Sequence, residues 1–224
     1  MSALPEEIDT LPDLEDATAE QIIGWAAAEF GADLAVASSM QDGVVVDLVS
    51  RIAPGTEIAF LDTGFHFDET LETLEKMRVR YPNLSFVSLT PPPDAAIYSR
   101  DGFSACCAAR KVRPLDDFLA GKRAWISGVR RGESLTRSRA RAVEWDLRRG
   151  IVKVNPLVSW NEDDLSTYVA MHDLEINPLL RKGYDSIGCW PCTQPGTGRA
   201  GRWAGDAKLE CGLHDYEIGS GARS

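Results

Sequence analysis

The five cysteines of this 224-residue chain are the residues whose types and spacing could do chemistry. Cys106 and Cys107 are adjacent, Cys189 and Cys192 form a C-x-x-C pair, and Cys211 stands alone in Glu210-Cys-Gly-Leu-His214. Two pairs and a loner suggest two jobs. Four thiolates turned toward one point can hold a soft metal ion or an iron–sulfur centre. C-x-x-C supplies two of them from one turn, which Pro191 stiffens. Zinc fits four cysteines equally well on spacing alone, although a vicinal pair is an awkward zinc knuckle. A lone thiol can be a nucleophile if nearby cations favour its thiolate and substrate can reach it. Lys208, Arg199, Arg202 and His214 lie close to Cys211 in sequence. The bland alternative is a small buried hydrophobe. Glu210, Gly212 and His214 would make a poor core around it.

The bulk properties bound the rest. The length fits one domain with a real core. A net charge of −10 argues against a nucleic-acid binder. Yet arginines crowd between Arg130 and Arg149, which suggests a local anion site. The first residues have neither a positive nor an apolar leader region, and no apolar run approaches the ~20 residues of a membrane span. The expectation is a cytoplasmic protein, where cysteine clusters serve metals or catalysis more often than disulfides.

The elements that must position these residues read as α/β. Residues 1–17 are expected to be a loose arm. Thr18 and Gln21 have capping-box spacing and predict a helix to about Phe30, ended by Gly31. Asp33–Ser38 reads as a buried parallel strand, Ser38–Gly43 as a small-residue loop, and Val44–Ile52 as a helix. Strand, loop and helix in that order can aim backbone N–H groups at an anion, which makes Ser38 and Ser39 candidate contacts. An ordinary connection is the alternative, and the loop lacks the Walker A pattern. Glu57–Leu61 is a second strand leading into Asp62, Thr63 and Gly64. In open α/β sheets ligands bind beyond such carboxyl ends. A helix is expected from Phe67 to Tyr81, a third strand over Leu84–Leu89, and a helix from about Cys106 to Leu119. Ala124–Ser127 is a fourth strand opening onto Arg130 and Arg131, whose guanidinium groups could grip phosphate or sulfate bidentately. Ile151–Pro156 is a last strand. Trp160 and Leu165 flank Asn161 as a hydrophobic staple flanks an N-cap, ahead of a helix to about His172. The whole reads as a single-domain, doubly wound, mostly parallel sheet over residues 18–186. A Gly-rich C-terminal segment, 187–224, belongs to the same domain and is expected to be a mobile tail.

Five motifs carry a resemblance that runs from about Asp33 to His214. They are Leu61-Asp-Thr-Gly64, Cys106-Cys107, Ile126-Ser-Gly-Val-Arg-Arg131, Cys189-x-x-Cys192 and Glu210-Cys-Gly-Leu-His214. Together they resemble the assimilatory sulfonucleotide reductases, above all the iron–sulfur adenylyl-sulfate (APS) reductases, with phosphoadenylyl-sulfate (PAPS) reductases as kin. The resemblance implies an adenine nucleotide alpha-hydrolase-like (ATP-pyrophosphatase-like) fold, with Ser38–Gly43 a degenerate phosphate loop. Several glycines of the ATP-using relatives are missing from that loop, which disfavours ATP cleavage. It implies a [4Fe–4S] cluster on Cys106, Cys107, Cys189 and Cys192. Asp62, Thr63 and Gly64 would touch the nucleotide, and Lys111 would stand between cluster and substrate anion. Arg199, Arg202 and the Arg130 loop would neutralise the phosphosulfate, and His214 could influence Cys211. Cys211 would attack the substrate sulfur, expel AMP and become S-sulfocysteine, from which thioredoxin releases sulfite. The family commonly self-associates, so a homo-oligomer is an open expectation. Three alternatives stay open: a PAPS reductase, which needs a further cation for the 3′-phosphate, an ATP-pyrophosphatase relative, and a non-enzymatic iron–sulfur adenylate sensor.

Overall fold

The computed structural model describes residues 11–203, 208 and 210–214. Six strands, β1 (Leu34–Ala37), β2 (Glu57–Leu61), β3 (Ser85–Leu89), β4 (Ala124–Ser127), β5 (Val143–Asp146) and β6 (Ile151–Val154), form one sheet. Its order is β3-β2-β1-β4-β6-β5, parallel except for β5 against β6. Strand periodicity sends alternate residues to opposite faces. Leu34, Val36, Ile58, Phe60 and Ile126 enter the larger core, while Ala35 and Trp125 enter a second core on the other side. Helices α1 (Ala19–Phe30), α2 (Val44–Ile52), α3 (Asp68–Arg80) and α6 (Glu162–Met171) supply the larger core. Leu115 and Leu119 of α5 (Arg113–Leu119) supply the second. A sheet covered on both faces explains why its central strands read as apolar runs.

The chain order creates a switch point. From β1 the chain moves outward through β2 to β3, then returns to place β4 on the other side of β1. The carboxyl ends of β1 and β4, Ala37 and Ser127, therefore open onto a crevice between diverging connections.

Local signals behave as their chemistry requires. Thr18 and Gln21 close a reciprocal capping box, and Gly31 ends α1 with φ of 52°. Asn161 caps α6 in the same way, through Asp164. Three expectations are revised. The helix expected over Cys106–Leu119 is instead α4 (Tyr98–Cys107), a π-turn over Ala108–Val112, and α5. The antiparallel strand β5 lies inside the arginine-rich stretch, hidden because Glu144 and Asp146 interrupt its apolar residues. Glu144 pairs with Lys153 across the ladder at 2.9 Å. Of the expected arm, residues 1–10 lie outside the described residues, whereas Leu11, Leu14 and Ala17 pack on the larger core. Among the described residues no helix is long and apolar enough to cross a membrane.

One polar anchor lies within the larger core. Asp47 of α2 is buried and accepts from the Tyr81 hydroxyl at 3.2 Å and the Tyr168 hydroxyl at 2.8 Å, and it pairs with Arg51 at 3.1 Å. Asp47→Ala strands both hydroxyls, so it should lower stability by on the order of 1–3 kcal/mol, read as a shift in the urea midpoint. Burial, helped by the Asp47 charge, pushes the Tyr81 phenol up to about 12. Its contribution is whole below the unfolded value of ~10 and is lost as pH rises from there through the folded value. Over that window the wild-type urea midpoint should fall more steeply than that of Tyr81→Phe.

Candidate active site

The crevice at the switch point is the larger of two adjoining cavities. Ser38, Ser39 and Gln41 line it from the loop after β1, Ser127 from the end of β4, and Gly128 and Arg130 from the loop that follows. The first loop is built tightly. Met40 is fully buried at φ of 57°, and the Asp42 carboxylate accepts from the Val44 N–H at 3.1 Å, at the start of α2. Burial pushes the Asp42 carboxyl above its usual range, with Arg130 opposing. The same loop fixes the C-terminal segment. Gln41 accepts from the Ile187 N–H at 3.0 Å, and its carbonyl accepts from the Asn177 N–H at 3.0 Å. Gly188 and Cys189 are thereby held at the end of the sheet.

All four paired cysteines line the second cavity, together with Thr63, Phe65, Tyr98 and Trp203. Cys106 and Cys107 come from the last residues of α4, just before the π-turn. Cys189 and Cys192 bracket a 3₁₀ turn over Trp190–Cys192, in which the Cys192 N–H donates to the Cys189 carbonyl at 2.9 Å. Arg110 ties the surrounding shell together. It donates to the carbonyls of Ala95, Ala96 and Thr63 at 3.0, 2.9 and 3.1 Å, and lies over the Phe65 ring.

The donor set is of the soft kind that iron–sulfur and zinc centres use. Four thiols frame a cavity within an aromatic shell, although among the described residues no three such side chains converge closely enough to hold an ion. Burial pushes the Cys106 and Cys107 thiols up, and the Cys192 thiol up to about 12. Metal–thiolate bonding offsets such a cost by replacing the protons. Two donors also await acceptors. Trp203 Nε1, on the wall of this cavity, and Arg202 Nε are buried with no hydrogen-bond partner among the described residues. Thr63 Oγ1 lies 3.2 Å from Cys189 Sγ.

Lys111 and Arg202 line both cavities, so they form a cationic wall between the cysteine centre and the crevice. Burial opposes the Lys111 charge, but the neighbouring Cys189 and Cys211 sulfurs outweigh it and raise its pKa. Cys211 lines the crevice and packs against the cysteine cluster. Arg199 also lines the crevice, and pairs with Glu210 at 3.0 Å. His214 stacks on Trp125 with ring centroids 5.7 Å apart. Burial, reinforced by Lys153, Arg137, Arg149 and Arg199, holds His214 well below its ordinary pKa and therefore neutral. The residue also lines the crevice, as Cys211 does.

Some sequence-derived residues sit elsewhere. Asp62, Thr63 and Gly64 do not line the crevice, where Leu61 and His66 stand in their place. Asp62 instead accepts from the Gly64 N–H at 3.0 Å, and Thr63 faces Cys189. The chain turns the motif toward the cysteines because Arg110 and the Thr63 carbonyl anchor it there. Arg131 pairs with Glu15 and donates to the Ala140 carbonyl at 2.8 Å, so it serves the scaffold. Most of the arginine crowd is likewise used on carboxylates. Arg141 meets Asp13 and Glu15, and Arg148 and Arg149 meet Asp116. Only Arg130 and Arg137 of the stretch line the crevice. Arg110, Glu133 and Arg137 were not singled out from sequence. The signal for Arg110 was its place directly before Lys111.

Gly188 admits the cationic wall. A Cβ at this position would lie 2.5 Å from Arg202 Cζ and 3.0 Å from its Nη1. The guanidinium end of Arg202 can move, so Gly188→Ala should displace it rather than unfold the chain. The expected outcome is roughly tenfold weaker binding of a small anion such as inorganic phosphate by calorimetry, the worth of one charged hydrogen bond, with little change in thermal midpoint.

The chain as a whole is similar to known proteins. Residues 33–195 match the family described as phosphoadenosine phosphosulfate reductase domain. The chain is 46% identical over 215 residues to the adenosine 5′-phosphosulfate reductase of Streptomyces coelicolor, covering 90% of each chain. It is 41% identical over 215 residues to the enzyme of the same name from Mycolicibacterium smegmatis, again over 90% of each. The fold matches a phosphoadenylyl-sulfate reductase from Candida auris with a TM-score of 0.66 at 24% identity, over 87% of this chain and 99% of that one. It also matches Candida glabrata FMN adenylyltransferase with a TM-score of 0.63 at 16% identity, over 88% of this chain and 70% of that one. The doubly wound sheet is thus the adenine nucleotide alpha-hydrolase-like fold, and the chain belongs to the phosphoadenosine phosphosulfate reductase domain family.

Proposed function

We propose that this enzyme reduces adenosine 5′-phosphosulfate to sulfite and AMP, as the names of its relatives in Streptomyces and Mycolicibacterium indicate. The observation that carries the reading is the position of Cys211. It lines the nucleotide crevice beside Lys111 and Arg202, the two cations that also face the paired cysteines.

The chemistry follows from that arrangement. A thiolate and a phosphosulfate are both anions and repel each other in water. Lys111, Arg202 and Arg199 lower that repulsion where the charge develops. The Cys211 thiolate attacks the sulfur, the bond from sulfur to the bridging phosphate oxygen breaks, and AMP leaves with that electron pair. The enzyme then carries S-sulfocysteine. A thiolate of a dithiol protein such as thioredoxin attacks Cys211 Sγ, sulfite departs, and the donor's second thiol resolves the mixed disulfide. The two electrons come from the donor.

Cys106, Cys107, Cys189 and Cys192 would hold a [4Fe–4S] cluster. Bound there, it would supply a fixed charge and a rigid frame behind Lys111 rather than an electron relay, because the two-electron thiol route needs none. Thr63 and Trp203 line the cavity that would receive it. Ser38, Ser39 and Arg130, at the strand ends, would bind the nucleotide.

Intact-mass measurement on anaerobically purified protein tests the reaction. Mixed with APS and no reductant, the wild type should gain a sulfo adduct that thioredoxin removes, and Cys211→Ser should bind AMP but gain none. Faster adduct formation with PAPS would reassign the substrate, and no adduct with either nucleotide would overturn the reductase reading. A second measurement addresses the cluster. Cys192→Ser should lose iron and visible absorption, and the wild-type cluster should keep its oxidation state through turnover. A cluster oxidised and re-reduced in step with sulfite release would contradict the static role.

A further inference from the structure

Glu210, the residue before Cys211, is tied into the wall of the crevice by five contacts. Arg137 donates to its two carboxylate oxygens, from Nε at 3.0 Å and Nη2 at 3.1 Å. Arg199 Nη2 donates at 3.0 Å, Thr136 Oγ1 at 2.9 Å and Ser134 Oγ at 3.4 Å. Only 14% of the Glu210 side chain is exposed. Burial opposes its ionisation, but Arg137 and Arg199 outweigh it and hold the carboxyl below its usual range. Arg137 is itself oriented from behind, because its Nη1 donates to Glu133.

Three of these partners lie on the loop after β4, the loop that also brings Arg130 to the crevice. They are separated from Glu210 by more than seventy positions in the chain. Beyond Cys211 the same segment is held again, where the Leu213 carbonyl accepts from Arg149 Nη1 at 3.2 Å. The half-buried Cys211 sits between these two ties. Arg137 has Nε and both terminal nitrogens committed to carboxylates, which suits it to holding protein rather than to binding a substrate anion.

We propose that Glu210 is the positioning residue of this site. Its carboxylate, gripped by Arg137, Thr136 and Arg199, fixes Cys211 at the crevice and couples the nucleophile's place to the loop that binds the nucleotide. Its consequence for turnover rests on the reductase reading above, while its consequence for the position of Cys211 does not.

Glu210→Gln keeps the size and removes the charge. In the cluster-loaded protein, iodoacetamide should modify the Cys211 peptide several-fold faster in the variant than in wild type, both with AMP bound. Sulfo-adduct formation from APS should slow roughly 10- to 100-fold, as for a lost charge-assisted hydrogen bond. AMP affinity should change far less than the adduct rate, because the tie holds the nucleophile directly and reaches the nucleotide only through the loop and Arg199. Cleavage of a preformed adduct by thioredoxin should be no slower than in wild type. Thr136→Val is a milder change that leaves every charge in place and should move both rates in the same direction by less. Combined with Glu210→Gln it should add little, since both cut one network. Wild-type alkylation or wild-type adduct formation in Glu210→Gln would overturn the proposal, as would full additivity of the two substitutions. Should the wild type form no adduct, the reductase reading falls, and the alkylation rates still decide whether Glu210 places Cys211.

Discussion

Charge repulsion is the constraint around which this end of the sheet is arranged. Five thiols collect within two adjoining cavities, one of them opening onto a crevice suited to an anionic ligand. Sulfur anions at such spacing are costly in a partly dry interior. Lys111 and Arg202 answer that cost from the wall that the two cavities share. Their positions depend in turn on backbone detail. Lys111 sits inside a π-turn between α4 and α5, and Arg202 needs the bare Cα of Gly188.

The fold supplies the convergence. Parallel strands bring several loops to one edge, and the reversal between β1 and β4 opens the gap that they line. Residues far apart in the chain are then joined by short polar ties, such as Gln41 to Ile187 and Arg137 to Glu210. These contacts are specific because each partner is at least partly buried and is charged or amide-bearing, so a wrong pairing leaves an unsatisfied group. The site is therefore assembled by the sheet but registered by side chains.

Much of this was legible in the sequence, and the residues show where legibility ends. Apolar runs and caps located β1, β2, β4 and α1 to within a residue or two, because local chemistry decides them. The cysteine pairs and the Glu210–His214 motif, distant in sequence, lie together at one end of the sheet. What sequence could not convey was direction. Asp62, Thr63 and Gly64 follow a strand as nucleotide contacts would, yet Thr63 turns to Cys189 through an anchor contributed by Arg110. The arginine-rich stretch looked like one anion site. Its members separate because the guanidinium groups are shared out among Glu15, Asp116 and Glu133, and those pairings are fixed only by tertiary structure. Strand β5 escaped for the same reason, since Glu144 looks like a loop residue until Lys153 stands opposite it.

That short antiparallel strand has a consequence for the molecule's life outside the active site. An open parallel sheet leaves unpaired peptide groups along its rim, where other chains can add. Here the last strand on one side has only four residues and points against its neighbours. Its cross-strand ion pair fixes the register with β6, so slippage would strand Lys153 away from its acid. The rim is thereby too brief and too firmly indexed to template growth. A protein that must gather reactive thiols at one end of its sheet thus carries, on its flank, a safeguard against aggregation while it folds.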